Sequence, residues 1–147
     1  GAPAMVGRGA VGWHGEGQEA LAYRDAAGAI HVGGFQGPVR ALDIGAPAAD
    51  SDLASAESRS HPIRLAVVYR TAAGAPILLE RSGTATWTFT DLAAAAAAPT
   101  ATGNPTVSYD SSGTRLMAAY VGADDHVHVL TREAGTWTHT DVTAIAP

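Results

Sequence analysis

The side chains in this chain that could do chemistry are few, and most sit where apolar runs end. Arg70, Glu80, Arg81, Arg115, Arg132 and Glu133 are charged groups at such ends. Charge-assisted hydrogen bonds from groups of this kind can fix the orientation of a polar ligand, although charges at strand ends also serve as a plain solvated rim. Trp13 and Tyr109 are aromatic at equivalent points of two stretches and have no counterpart in a third. That variation fits a surface that differs from unit to unit, as a binding surface does. The candidate ligand-binding set is therefore Trp13, Tyr109, Arg70, Arg115, Glu80 and Arg132. His126 and His128 stand two apart, just after Asp124 and Asp125. Two imidazoles and a carboxylate could begin a zinc site, but no third ligand lies at useful spacing, so a hydrogen-bonding role is expected and no metal. The chain has no Cys, no Gly-x-Ser-x-Gly elbow, no His-Glu-x-x-His and no phosphate loop. Neither catalysis nor a cofactor is expected.

The elements that must position these groups come from a repeat. Leu65 to Leu92 and Leu116 to Val142 follow one plan: an apolar run ending in Tyr69 or Tyr120, a polar turn, a second apolar run, and a closing Trp-Thr-x-Thr-Asp at Trp87–Asp91 or Trp137–Asp141. Tyr23 marks the same point in a looser first copy. A small-small-Pro step recurs at Pro3, Pro47, Pro99 and Pro147, which divides the chain into repeats at 1–44, 45–96 and 97–147 within one repeat domain. The residues that recur, Tyr23, Tyr69, Tyr120, Trp87, Trp137, Asp91 and Asp141, are expected to be structural. The tryptophans should pack between units and hold the following aspartates in a turn.

Within each unit the short Val-, Ile-, Thr- and aromatic-rich stretches are bounded by Gly and Asp turns and show no 3.6-residue stripe, which predicts four antiparallel strands. Unit one should have its hairpin turn at Asp25–Gly28 and a last strand over Phe35–Ile44. The opening of unit two, through Ser60, is polar and reads as a longer loop in place of a strand. Ala93–Ala98 reads as an irregular connector, because six alanines do not nucleate a helix alone.

Composition narrows the partners. Hydrophobic residues make up 46% and charged residues 16% of 147, as in a globular domain. All nine basic residues are Arg and the net charge is −5, so no basic face is available for nucleic acid. No apolar run approaches the ~20 residues needed to span a bilayer as a helix. Gly1-Ala2-Pro3 reads as the start of a processed or excised piece of a longer chain.

A sheet of four short strands must cover its faces with its neighbours. Two all-β architectures do this with such units, a β-propeller and, as the alternative, a β-trefoil. The succession Ala98-Pro99-Thr100-Ala101-Thr102-Gly103-Asn104-Pro105 through Tyr109, Val67-Val68-Tyr69-Arg70, Gly28 to His31 or His126 to His128, and Trp87 to Leu92 resembles the repeat of bacterial fucose-specific-lectin-type β-propellers. The resemblance implies three propeller blades, with the ring completed by a second chain or by the rest of a precursor. It also implies a non-catalytic, secreted, carbohydrate-binding module whose glycan lies between adjacent blades, held by an Arg on the second strand, a Glu on the third, and an aromatic ring. The positions counted for that Arg are Leu21, Val67 and Ala118, and for that Glu Val32, Leu78 and Val129, so neither is matched. The second reading is accordingly a protein-interaction scaffold within a larger secreted assembly.

Overall fold

The computed structural model describes residues 3–14, 18–34, 40–58, 63–82 and 86–145. Twelve strands form three separate antiparallel sheets of four, each in simple sequential order. The first contains β1 (Val6–His14), β2 (Gln18–Arg24), β3 (Ile30–Gly34) and β4 (Arg40–Ala41). The second contains β5 (Ala54–Ser58), β6 (Arg64–Arg70), β7 (Pro76–Ser82) and β8 (Thr88–Asp91). The third contains β9 (Thr106–Tyr109), β10 (Leu116–Val121), β11 (Val127–Glu133) and β12 (Thr136–Asp141). β5 packs against both β1 and β9, so the three sheets stand side by side as propeller-type blades with their first strands innermost. No sheet closes on itself among the described residues, which excludes the trefoil alternative.

Burial separates the middle blade from its neighbours. On β6, Leu65, Val67 and Tyr69 pack into a core with Ala10, Ala22, Ile30 and Val32 of the first blade, while Ala66 and Val68 pack with Val107, Leu116, Ala118 and Leu130 of the third. Both faces of β6 are therefore covered, which is why Leu-Ala-Val-Val-Tyr reads as an unbroken apolar run. β10 alternates buried and partly exposed residues along its length, as a strand with one free face should.

The recurring tyrosines tether the straps that lead into each blade. The hydroxyls of Tyr23, Tyr69 and Tyr120 donate to the carbonyls of Pro3, Pro47 and Pro99 at 3.2, 2.7 and 2.7 Å. Each strap is also held by the blade it leaves: Ala49 N–H donates to the Gly28 carbonyl at 2.8 Å, and Ala101 N–H to that of Gly74 at 2.7 Å. Gly28 and Gly74 adopt φ of 80° and 85°. A Cβ on either would lie 2.5 Å from the Ala49 carbonyl or 3.0 Å from the Ala101 carbonyl, so both the left-handed backbone and the close approach require glycine. In the third blade this position is Asp125, with φ of 62°.

Two expectations are corrected. The polar opening of unit two does contain a strand, β5: its small Ala54 and Ala56 pack against the core shared with the third blade, and a tight innermost strand needs small side chains more than an apolar stripe. Ala93–Ala98 is not irregular over its whole length, since Leu92–Ala96 forms helix α1. Asp91 caps it by accepting from Ala94 N–H at 3.1 Å, Leu92 is fully buried beneath it, and Ala97 ends it in the left-handed conformation. A cap and an anchored residue supply what isolated alanines lack. Asp141 caps a second short helix, α2 (Val142–Ile145), through Ala144 N–H at 3.0 Å. In the first blade the described part of the last strand is Arg40–Ala41. The rest of the expected strand, Phe35 to Pro38 included, lies outside the described residues apart from the segment up to Ile44, which is not strand.

Candidate functional site

The seam between the second and third blades opens at one end of β7 and β11 into a cleft of about 1070 Å³, lined among others by Arg64, Glu80, Thr88, Thr90, Arg132 and Trp137. Strand alternation puts Glu80 here. It follows Leu78 by two residues on the same face of β7, and Leu78 is buried in the seam, so the next residue outward on that face emerges where the core ends. Arg132 stands in the same relation to Leu130 on β11. The two stand 52 residues apart at non-equivalent positions of successive repeats, and the seam brings them together. The Arg132 guanidinium grips the Glu80 carboxylate with two hydrogen bonds, Nη2 to Oε1 at 2.6 Å and Nη1 to Oε2 at 2.5 Å. Both side chains are less than one-fifth exposed, so this is a partly desolvated, bidentate pair with fixed geometry. The bond to Glu80 raises the Arg132 pKa further.

Two rings flank the pair. Arg132 lies over the face of Trp137, 5.3 Å from the ring centroid, within cation–π range. The Tyr109 hydroxyl donates to Glu80 Oε1 at 3.5 Å, the long limit of a hydrogen bond. Burial, and after it the negative charge of Glu80, pushes the Tyr109 phenol up to about 12. Arg64 also lines the cleft and has no hydrogen-bond or ion-pair partner among the described residues. The assembly can donate and accept hydrogen bonds at fixed angles beside aromatic surface. The Glu80 carboxylate retains acceptor sites after pairing, and the guanidinium has five N–H donors in all.

Of the residues singled out in the sequence, Glu80, Arg132 and Tyr109 are brought together, Arg81 and Glu133 line the same cleft, and Trp137, expected to be structural only, joins them. Arg70 is elsewhere, at the opposite end of β6, paired with Asp50 at 3.0 Å and donating to the Thr71 carbonyl at 3.2 Å. Arg115 pairs at 2.9 Å with Glu133, which lines the cleft, and both side chains are exposed. Trp13 is on β1 opposite Glu19, its side chain outside the described residues. Val67, Leu78, Ala118 and Val32, where an Arg and a Glu were sought, are buried in the seams. The charges stand farther toward the strand ends. Arg64 was missed, yet it and Arg115 both fall five residues before the recurring Tyr, a signal that an alignment on Tyr69 and Tyr120 contains. Trp87, equivalent to Trp137, is buried at 6% exposure in the first seam.

No family model and no curated protein matches the sequence. Solved structures do. The chain is similar to a fucose lectin from Kordia zhangzhouensis, solved in complex with methyl-fucoside, with a TM-score of 0.63 and 14% identity over 90% of this chain and 96% of that one. It is also similar to AofleA from Arthrobotrys oligospora, with a TM-score of 0.59 and 10% identity. A variant of AofleA with three arginines replaced by alanine matches with a TM-score of 0.63 and 11% identity. In both AofleA comparisons 96% of this chain covers 46% of the other, so the chain spans about half the length of AofleA. These likenesses establish the fold.

The opposite end of the third blade carries a second cluster. The expectation that His126 and His128 lack a third ligand-type neighbour is corrected: β11–β12 pairing sets Asp141 directly opposite His128, and ligand atoms of Asp124, His128 and Asp141 all lie within 4.8 Å of one another. Sequence spacing alone hid Asp141, which is 13 residues from His128 but adjacent across the ladder.

Proposed function

We propose that this chain is a non-catalytic, lectin-like carbohydrate-binding module that takes a neutral sugar in the cleft between its second and third blades. The observation that carries this reading is the Glu80–Arg132 pair with Tyr109 and Trp137 around it. A paired carboxylate and guanidinium bind adjacent hydroxyls as acceptor and donor, and an aromatic ring desolvates the C–H face beside them. The similarity of the fold to a fucose lectin supports the sugar class, with fucose-type sugars first in line; that the module is secreted and bacterial is part of the same proposal. Arg64 supplies a further donor on the second-blade wall. The Glu80 position is Thr131 in the third blade and Gly34 in the first, so one site per chain is expected.

Glycan-array screening followed by calorimetry with the best ligand tests this. Glu80→Gln and Arg132→Ala should each weaken binding by about 1.5–3 kcal/mol, roughly tenfold to a hundredfold, as loss of a charged hydrogen bond does. Absence of binding to any glycan, or binding that both variants retain in full, rejects the reading.

A second copy of the chain supplies the blades that complete the ring. The third blade's outer face carries Met117, Ala119, Val121, Val127 and Val129 at the positions where the second blade presents Ala66, Val68, Arg70, Pro76 and Leu78. Val121 and Val127 are each 41% exposed there. The interaction-scaffold reading rests on this same free face, with a different protein as its occupant.

A further inference from the structure

We propose that Asp124, His128 and Asp141, with His126 as the fourth ligand, form a binding site for a zinc-class divalent metal ion at the rim of the third blade, far along β11 from the sugar cleft. His128 is 1% exposed, and both of its ring nitrogens face partners: Nε2 lies 2.9 Å from Asp124 Oδ1 and Nδ1 lies 2.8 Å from His139 Nε2. Asp141 Oδ1 is engaged in capping α2, which leaves Oδ2, and Oδ2 lies 2.7 Å from His126 Nδ1. One imidazole nitrogen and two carboxylate oxygens thus lie within 4.8 Å of one another, and His126, held on Asp141 Oδ2, stands next to them as the fourth donor of an N₂O₂ set of the type zinc takes in a four-coordinate structural site. Imidazole donors favour zinc over calcium or magnesium.

Gly122 provides independent support. A Cβ there would lie 2.5 Å from His128 Nε2 and 2.6 Å from Asp124 Oδ1, and its φ is not among the positive ones. Its lack of a side chain therefore serves space and not backbone freedom. The repeat supplies the comparison. The equivalent residues, Asp25 and Thr71, use their side chains to accept from Ala29 N–H and Ala75 N–H and so brace their hairpins. In the third blade that brace has moved to Asp124, whose Oδ1 accepts from His126 N–H at 3.2 Å, and the space left at Gly122 holds His128 and Asp124. The first blade has only the His31–Asp25 pair at 2.9 Å, and the second has Ile77 in place of the histidine. His139 completes the arrangement: with the proton on His128 Nδ1 donated to His139 Nε2, the Nε2 lone pair points to the metal, the usual way an outer partner fixes a ligating imidazole. Asp124 and His126 are the more exposed members, at 43% and 41% of their side chains, and their rotation closes the set.

The test uses the full chain stripped with chelator and then titrated with zinc chloride by calorimetry, with cobalt(II) absorption as the geometric readout. Expected are one equivalent per chain, the intense visible bands of tetrahedral cobalt, and a thermal midpoint that rises with zinc concentration. Calcium should not bind. Asp124→Asn and Asp141→Asn keep hydrogen-bonding side chains at the turn and the helix cap, so they should fold as the parent does by circular dichroism yet lose stoichiometric binding. His139→Ala should weaken it about 10- to 100-fold, and His31→Gln should leave it unchanged. No saturable uptake, or uptake that persists in both aspartate variants, overturns the proposal. Neither result bears on sugar binding, which Glu80→Gln reads at the other end of the blade.

Discussion

At the residue scale, the recurring tyrosines carry a testable pH signature. Tyr120 is pushed up to about 12, mainly by burial and then by the charges of Asp91 and Asp124, and burial drives Tyr69 higher still. A phenol whose folded pKa is raised contributes stability that is fully present below its unfolded value of 10.0 and is lost as pH rises from there through the folded value. Denaturant midpoints measured at increasing alkalinity should therefore drop above pH 10, and the drop should be smaller in Tyr120→Phe. At neutral pH that variant should lose about 1 kcal/mol, the worth of one hydrogen bond to the Pro99 carbonyl. A flat alkaline profile in the parent would contradict the tethering role. The sugar cleft was only half legible at this scale. Comparing equivalent positions, Glu80 with Thr131 or Arg81 with Arg132, shows what repeats, whereas a seam site draws unlike residues from two neighbours. Glu80 and Arg132 could be listed as candidates, but only the packing of one blade on the next joins them.

At the scale of elements, the hairpin glycines decide how tightly a strap can approach. Gly74→Ala places a Cβ 3.0 Å from the Ala101 carbonyl on a backbone with φ of 85°, and a cost of more than about 1 kcal/mol is expected in equilibrium unfolding. Asp125→Gly, at the same point of the third blade, should cost less, because no strap of this chain lies against it and Asp tolerates the left-handed region. Equal costs at both positions would refute the close-approach argument. Tyr69, Tyr120 and the two Trp-Thr-x-Thr-Asp endings made the strands of the second and third blades readable almost residue by residue. β5 was not readable, because its contacts are made by Ala54 and Ala56, whose small size matters only beside another blade. α1 was missed for a related reason: its stability comes from the Asp91 cap and buried Leu92, not from the alanines.

At the scale of the whole molecule, the two covered faces of the middle blade are the standard by which the outer blades are incomplete. With the third blade's outer valines exposed, light scattering should give twice 14.9 kDa, and Val127→Arg should shift the mass toward a single chain by placing charge in the seam. A parent that runs as one chain at all concentrations would exclude the second copy as the occupant, and a stable complex with a different polypeptide would favour the scaffold reading.

The straps carry a consequence for how such chains can be lengthened. The two between blades, at Pro47 and Pro99, are fastened at one end to the tyrosine of the blade they enter and at the other to the hairpin of the blade they leave, so a junction between blades needs no spacer of its own. The prolines at 3, 47, 99 and 147 keep this rhythm to the final residue. Blades joined through straps of this kind should therefore dock on one another without any engineered connector.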